Sequence, residues 1–431
     1  MRDILITLII FGSLPLILRN PVNGVLMWVW ISVMNPHTQS WGFAATFPFA
    51  YIVAIATLFS LASSRLSKTL PASPITYVLI VLILWMNVTT LFAMFPETAY
   101  AQWSKVMKIM LMTLVTMMVI RTREDVHRLM WVLAMSVGYY GIKGGLFTIR
   151  SGGVDRVWGP EGTFIGDNNE IALALIMTIP LLRYLQLRSA SRWLRLGLGA
   201  AMLLSALAAL GSYSRGALLA IAAMIVVMWS RSRHKLAGGL MLAVLVPLAL
   251  LFMPERWSER MDSIGAYQED ESAMGRINAW HMAWNLAKDR FFGGGFDIAE
   301  PRAFFLYAPD PHDIHAAHSI YFQALGEHGF VGLALYLLLL GLTWRSAAWI
   351  ARHSVDRSEL EWAQQLAIMV QASFVGFAVG GAFLSLLYFD VPYYLMAIII
   401  ATRVLVAERQ HAVNRAVQGP LESRHRAVGQ P

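Results

Sequence analysis

Cysteine is absent from the 431 residues. That excludes thiolate catalysis, iron–sulfur clusters, Cys-ligated zinc and disulfides together. Charge is scarce too: Asp, Glu, Lys and Arg make up 14% of the chain, against about 25% in soluble globular proteins. With 57% hydrophobic residues and a mean hydropathy of +0.55, a water-soluble fold is excluded. A small-residue cleavage site is also missing after "ILITLIIFGSLPLIL", so this first apolar run is expected to remain as a span rather than leave as a signal peptide. The net charge of +8 is dispersed over short loops and forms no single basic face, which argues against a nucleic-acid partner.

What the chain has instead is a series of apolar runs, most of them roughly 18 residues or longer and able to cross a bilayer core. No water is present there to satisfy the backbone, so each run is expected to be a helix. Spans are expected near 4–18, 22–35, 43–62, 73–94, 102–120, 126–148, 168–187, 193–210, 215–230, 236–253, 319–344, 363–388 and 391–407. Pro15, Asn20 and Pro21 interrupt the first pair, which reads either as two thin spans or as one broken element. The expected fold is an all-α polytopic transmembrane bundle of about twelve spans, embedded in membrane lipids. Its divisions are an N-terminal bundle (1–253), one large loop with an amphipathic helix (254–318), C-terminal helices (319–407) and a polar, disordered tail (408–431).

Arginine and lysine set the expected orientation. Arg65 and Lys68, Arg121 and Arg123, Arg188, Arg192 and Arg195, Arg231, Arg233 and Lys235, and Arg352 and Arg357 fall in loops on alternate sides of consecutive spans. Those loops define the cytoplasmic side, which puts the loop 254–318 in the periplasm of a bacterium. Within it, "MGRINAWHMAWNLAKDRFF" carries Ile277, Trp280, Trp284, Ala287 and Phe291 on one helical stripe, suited to the membrane interface.

Several cations break this pattern. Lys105, Lys108, Lys143, Arg150, Arg156, Arg215 and Arg276 all fall on the side normally depleted of positive charge. Singly, each can snorkel to lipid phosphates or pair with Glu97, Asp167 or Glu170. Together they suit an anionic ligand, because guanidinium groups grip phosphate oxygens bidentately. A diphosphate at the outer leaflet is the expected one. Trp158, Tyr213, Tyr267, Tyr307 and Tyr321 are candidates to stack on sugar rings, against the plainer roles of interface belt and core packing.

His312, His315 and His318 lie three apart at the mouth of an apolar helix. They admit three roles: solvated loop residues, a zinc site with Asp310 and Asp313, or a general base. An imidazole titrates near neutrality, so it can take a proton from a hydroxyl nucleophile. Asn168, Asn169 and Glu170 look first like a helix start and second like sugar contacts.

In these segments the chain resembles the O-antigen ligase and polymerase superfamily. "AHSIYFQALGEHGFVG" resembles its histidine-led helix entry, "SYSRGALLA" its Ser-Arg-Gly hairpin, and "GRINAWHMAWNLAKDRFFGGGF" its periplasmic Gly-Arg…Trp…Gly-x-Gly segment. The three occur in the family's order, and the resemblance extends over most of 150–340. The N-terminal stretch resembles the subgroup of exosortase-associated O-glycosylation ligases. Two departures stand out: Ser319 where the family often has Asn, and Phe292 near the place of its usual proline.

The resemblance implies a GT-C-like glycosyltransferase of the bacterial inner membrane with its active site facing the periplasm. It would move a glycan from undecaprenyl diphosphate to the lipid A–core saccharide, without metal or other cofactor. His318 falls on the family's essential histidine, Arg215 on its hairpin arginine and Arg276 on its loop arginine. Lys105, Lys108, Lys143, Arg150, Arg156, His315, Tyr213 and Tyr321 are the expected substrate contacts. His318 would deprotonate the acceptor hydroxyl for direct attack, giving inversion; His315 or Asp313 would orient it. Glu327 is expected to serve packing instead, since nine helical residues place it roughly 13 Å from His318. Gly326, Gly329 and Gly332 are expected to allow close helix contact. Competing activities are a polymerase or protein O-oligosaccharyltransferase with the same donor, a flippase of lipid-linked sugars, and a zinc hydrolase.

Overall fold

A computed structural model describes residues 1–231, 235–262 and 271–428, with side chains to residue 412. Arg233 and Tyr267 lie outside the described residues. The expected spans are all helical. They are α1 (Arg2–Arg19), α2 (Pro21–Met34), α3 (Phe49–Ser63), α4 (Pro74–Leu91), α5 (Pro96–Val119), α6 (Arg123–Arg150), α7 (Asn168–Arg188), α8 (Arg192–Leu210), α9 (Arg215–Ser230) and α10 (Lys235–Phe252). Three shorter helices follow in the large loop: α11 (Glu255–Asp262), α12 (Glu271–Asp289) and α13 (Pro301–Tyr307). The last are α14 (Ile320–His353), α15 (Glu361–Gly380) and α16 (Asp390–Val428). Among the described residues, eight helices are long and apolar enough to cross a bilayer, and α2, α3 and α9 are shorter apolar ones. This is a polytopic helical membrane protein.

The interrupted first pair is two helices. Asn20 is extended and its side chain accepts from Val22 N–H, so it caps α2, while Pro21 takes the first position where no N–H is needed. The last helix, α16, runs from Asp390 as far as Val428.

Burial separates the helices by place. In α7, 72% of the spanning window is buried, because α6, α8, α9 and α15 surround it. α10 has no buried residue, and α9 is the helix it packs on most among the described residues. α14 lies between α4, α15 and α16, with α12 laid on its first turns.

α14 is not continuous. Gly329 has φ 68° and ψ −174°, a conformation reserved for glycine, and breaks the helix there. The break frees carbonyls that a membrane protein must satisfy internally. Gly294 N–H donates to Gly326 O (2.8 Å), Gly295 N–H to Glu327 O (2.9 Å) and Trp85 Nε1 to His328 O (2.8 Å). The turn after α12, Gly293–Gly295, therefore plugs the break. Of the three glycines expected to ease helix packing, only Gly326 faces another helix: a β-carbon there would sit 3.0 Å from Ala283 of α12.

Glu327 serves the bundle, as expected. Tyr388 Oη donates to it, and so does Gln323 Nε2 (3.3 Å). The neighbouring His328 joins Tyr388 (2.6 Å) and Thr89 of α4 (2.7 Å), tying α4, α14 and the segment before α16 together.

Candidate active site

His318 is the last loop residue but one before α14, with φ 40°. A non-glycine residue in the left-handed region is uncommon and is held there by its surroundings. The holding element is α12. Asn278 Nδ2 donates to the carbonyls of Asp310 (2.8 Å) and Asp313 (2.9 Å), and its Oδ1 accepts from Asp310 N–H (2.9 Å). Trp280 Nε1 donates to Ala317 O (2.7 Å), and the Trp280 ring stacks on Phe322 at 5.0 Å. The loop 310–317 is thus fastened to α12 at both ends, and its last clamp sits one residue before His318.

Of the stripe expected on α12, Trp284 and Phe291 are exposed, Ile277 and Trp280 half-buried and Ala287 buried. The buried face is formed by Gly275, Asn278, Ala279, Met282, Ala283, Leu286 and Ala287. Small residues on it allow a close approach: Ala283 meets Gly326 of α14, and a β-carbon on Gly275 would sit 2.7 Å from His315 Nδ1 of the loop. His315 itself pairs with Asp313 at 2.7 Å. No described hydrogen bond links either residue to His318, so the expected orienting role is not seen in these contacts.

Burial pulls the pKa of His318 down from 6.5, the positive charges of Arg276 and His315 add to that, and Asp167 opposes it. The ring is therefore neutral at pH 7 and able to accept a proton. Arg276 stands on α12 two residues before Asn278, so the helix that clamps the loop also delivers the guanidinium.

Arg215 arrives by another route. It opens α9, where Ser214 caps Ala217 N–H (3.2 Å), after a turn in which Tyr213 has φ 61°. Ser212 O of this hairpin accepts from Asn168 Nδ2 (2.6 Å). Asn168 follows Asp167, which caps α7 in a reciprocal box with Glu170, as the helix-start reading expected. Asp167 in turn acts electrostatically on His318. The 3₁₀ turn Gly381–Phe383 completes the link: a β-carbon on Gly216 would sit 3.3 Å from Phe383, and one on Gly381 would sit 2.7 Å from Ile320. Hairpin, α7 cap and histidine loop are neighbours.

The other expected contacts divide. Lys105 lies 4.0 Å over the Phe164 ring and within reach of the charges of Glu170 and Asp390. Arg156 lies 5.6 Å over Tyr213. Tyr213 is buried, and its hydroxyl donates to Gly153 O (2.7 Å); Tyr321 donates to Ala378 O (2.8 Å). Both hydroxyls are thus committed to the fold. Lys108, Lys143 and Arg150 are exposed on α5 and α6, and no described contact brings them to His318. Trp158 is exposed, and Tyr307 donates to Asp289 (2.6 Å).

Sequence reasoning missed four contributors. Asn278 was placed off the packed stripe, although an Asn two residues after Arg276 was its only signal. Asp167 was read as a partner for cations, not for an imidazole. Arg256 and Arg260 of α11 carried no motif, yet the Arg256 charge acts on Tyr213 and Arg260 Nε donates to Tyr213 O (3.2 Å).

A multi-pass helical bundle that gathers arginines and one neutral histidine where a loop meets a helix entry belongs to the class of membrane enzymes. Residues 200–337, which contain Arg215, Arg276 and His318, match the family model described as O-antigen ligase, and this match supports a place in that superfamily for the segment. The match supports an O-antigen ligase or polymerase type of function and a glycosyltransferase-like enzyme. Residues 1–190 match a model described only as a family of unknown function. No curated protein matches the chain.

Proposed function

We propose that the protein is an O-antigen ligase that moves a glycan from undecaprenyl diphosphate to the lipid A–core saccharide at the periplasmic face of the inner membrane. The observation that carries this reading is the neighbourhood of His318, Arg276 and the Arg215 hairpin within the family-matched segment. In the proposed reaction the acceptor hydroxyl oxygen attacks the anomeric carbon. The bond from that carbon to the diphosphate oxygen breaks, His318 takes the hydroxyl proton, and undecaprenyl diphosphate leaves. One displacement inverts the anomeric configuration.

The residue types suit these roles. A diphosphate is already a good leaving group, and guanidinium groups placed where its charge develops stabilise it further. Arg215 stands at the first position of α9, where the helix dipole disfavours a cation. An anion bound there would meet both the guanidinium and the free N–H groups of the helix start. Because no glycosidic oxygen needs protonating, the carboxylate pair of a hydrolase is not required. The reading takes the enzyme as metal-independent and the N-terminal stretch as that of an exosortase-associated subgroup. A polymerase joining lipid-linked repeats uses the same donor and the same chemistry and differs only in acceptor.

The test is reconstitution. Purified protein in EDTA, given a lipid-diphosphate glycan and a core acceptor, is expected to join them with inversion and release undecaprenyl diphosphate. Release of free glycan without transfer, or activity restored only by zinc, overturns the ligase reading. Chain growth on a second lipid-linked glycan in place of the core acceptor would assign a polymerase.

A further inference from the structure

The end of α14 away from His318 forms a second polar feature. Trp344, Arg345, Trp349 and Arg352, with Arg231 after α9 and Arg403 of α16, line a cleft of about 400 Å³. A helical rise of 1.5 Å per residue puts it roughly 40 Å along the chain axis from His318, so it is not part of the site above.

We propose that this cleft binds the phosphate headgroup of an anionic phospholipid from the adjoining leaflet, with preference for a headgroup that carries two phosphates. Four guanidinium groups converge on it. No acidic residue lines it, and among the described residues none of the four forms an ion pair. Arginines at one end of a membrane bundle are ordinary. A concave set of four with no acidic residue in its lining is less so, and its positive potential favours an anion.

Two of the arginines are oriented by the protein. Arg403 lies 5.1 Å over the Trp349 ring and donates through Nη1 to Ser346 Oγ (2.8 Å). Arg352 Nε donates to Ala348 O (3.3 Å). Such forks match phosphate oxygens bidentately. Basic pockets between transmembrane helices take lipid headgroups on the same grounds.

The source of the phosphate is indicated by the surface beside the cleft. Leu337 and Leu338 precede Arg345 by eight and seven residues, on the same helical face, and are 46% and 48% exposed. Val404, next to Arg403, is 41% exposed. An apolar track therefore leads from the arginines along the helices toward the bilayer interior, where acyl chains run. A soluble phosphate compound would have no use for it.

The full-length protein in detergent, stripped of lipid, provides the test. Cardiolipin (two phosphates), phosphatidylglycerol (one) and phosphatidylcholine (zwitterionic) are titrated in, with bound lipid read by native mass spectrometry and Tm by thermal shift. Cardiolipin is expected to bind best, phosphatidylglycerol less, and phosphatidylcholine to give no shift. R345Q/R352Q is expected to lose cardiolipin affinity on the order of tenfold or more. R345K/R352K, which keeps the charge but not the fork, should fall between and covers the case in which the Gln variant is unstable. Equal cardiolipin binding by wild type and both variants, or equal stabilisation by phosphatidylcholine, overturns the proposal. Sodium diphosphate serves as the soluble arm: a Tm shift equal to that of cardiolipin would overturn the lipid source.

Discussion

Arg276 and Lys143 were both expected from sequence to contact the anionic substrate, and both sit on helices whose ends approach the α7 cap. Arg276 rides on α12, which is fastened to the histidine loop by Asn278 and Trp280, and its charge reaches His318. Lys143 stands on the outward face of α6 beside exposed Leu146 and Phe147, and Arg150 ends that helix in the open. The same charge, expected at one site, meets different surroundings on the two helices. What separates them is whether hydrogen bonds and small residues draw the carrying helix against a second element.

The sharpest way to break this comparison is to remove the histidine. His318→Ala is expected to lower transfer by about 10²–10⁴-fold, the usual contribution of a general base, while the protein still inserts and elutes as wild type. A retained rate would show that the loop clamp serves packing alone. Arg276→Ala and Arg215→Ala are expected to cost about 10²-fold each in kcat/KM for the lipid-linked donor. Lys143→Ala, Arg150→Ala and the exposed Lys288→Ala should stay within about threefold, as surface substitutions do. Equal losses across both sets would erase the difference between the two regions.

Asn278→Ala tests the clamp. It removes three hydrogen bonds from the loop without touching Arg276 or His318, and about a tenfold fall in kcat is expected from the misplaced imidazole. Stability should drop by about 1 kcal/mol, because two part-buried carbonyls lose their donor. If stability falls and kcat does not, the loop is positioned by other contacts.

The smallest effect is in the pH profile. His318 must be neutral to accept a proton, so the rate is expected to fall as pH drops through its folded pKa. Burial and Arg276 set that pKa below 6.5. In Arg276→Gln the repulsion from the guanidinium is lost, and the acidic limb of kcat against pH should move upward. An unmoved limb would mean that another group titrates.

Much of this was legible beforehand. Apolar length located α1 to α10 and α14 to α16, because a backbone in hydrocarbon has no alternative partner for its polar groups. Asn168, Asn169 and Glu170 declared the start of α7, while the cap itself fell on Asp167. The motifs around Arg215, Arg276 and His318 marked the residues that the family match covers. On α12 the tryptophan stripe told where the less buried side lies but not which residues pack, and the contacts with α14 and the histidine loop chose a face of mostly smaller residues. Gly329 was taken for a packing residue for a similar reason, since nothing local says that the Gly293–Gly295 turn will fill a break made there.

Composition and periodicity alone determined that this chain is a helical membrane bundle, because those rules act over a few residues and need no partner. Which cations meet the imidazole, which tyrosine hydroxyls are spent on backbone carbonyls, and which four arginines share a cleft were decided only by the tertiary structure. Those outcomes depend on contacts between residues far apart in the chain, such as Asn168 with Ser212 and Asn278 with Asp313, whose pairing no local pattern specifies.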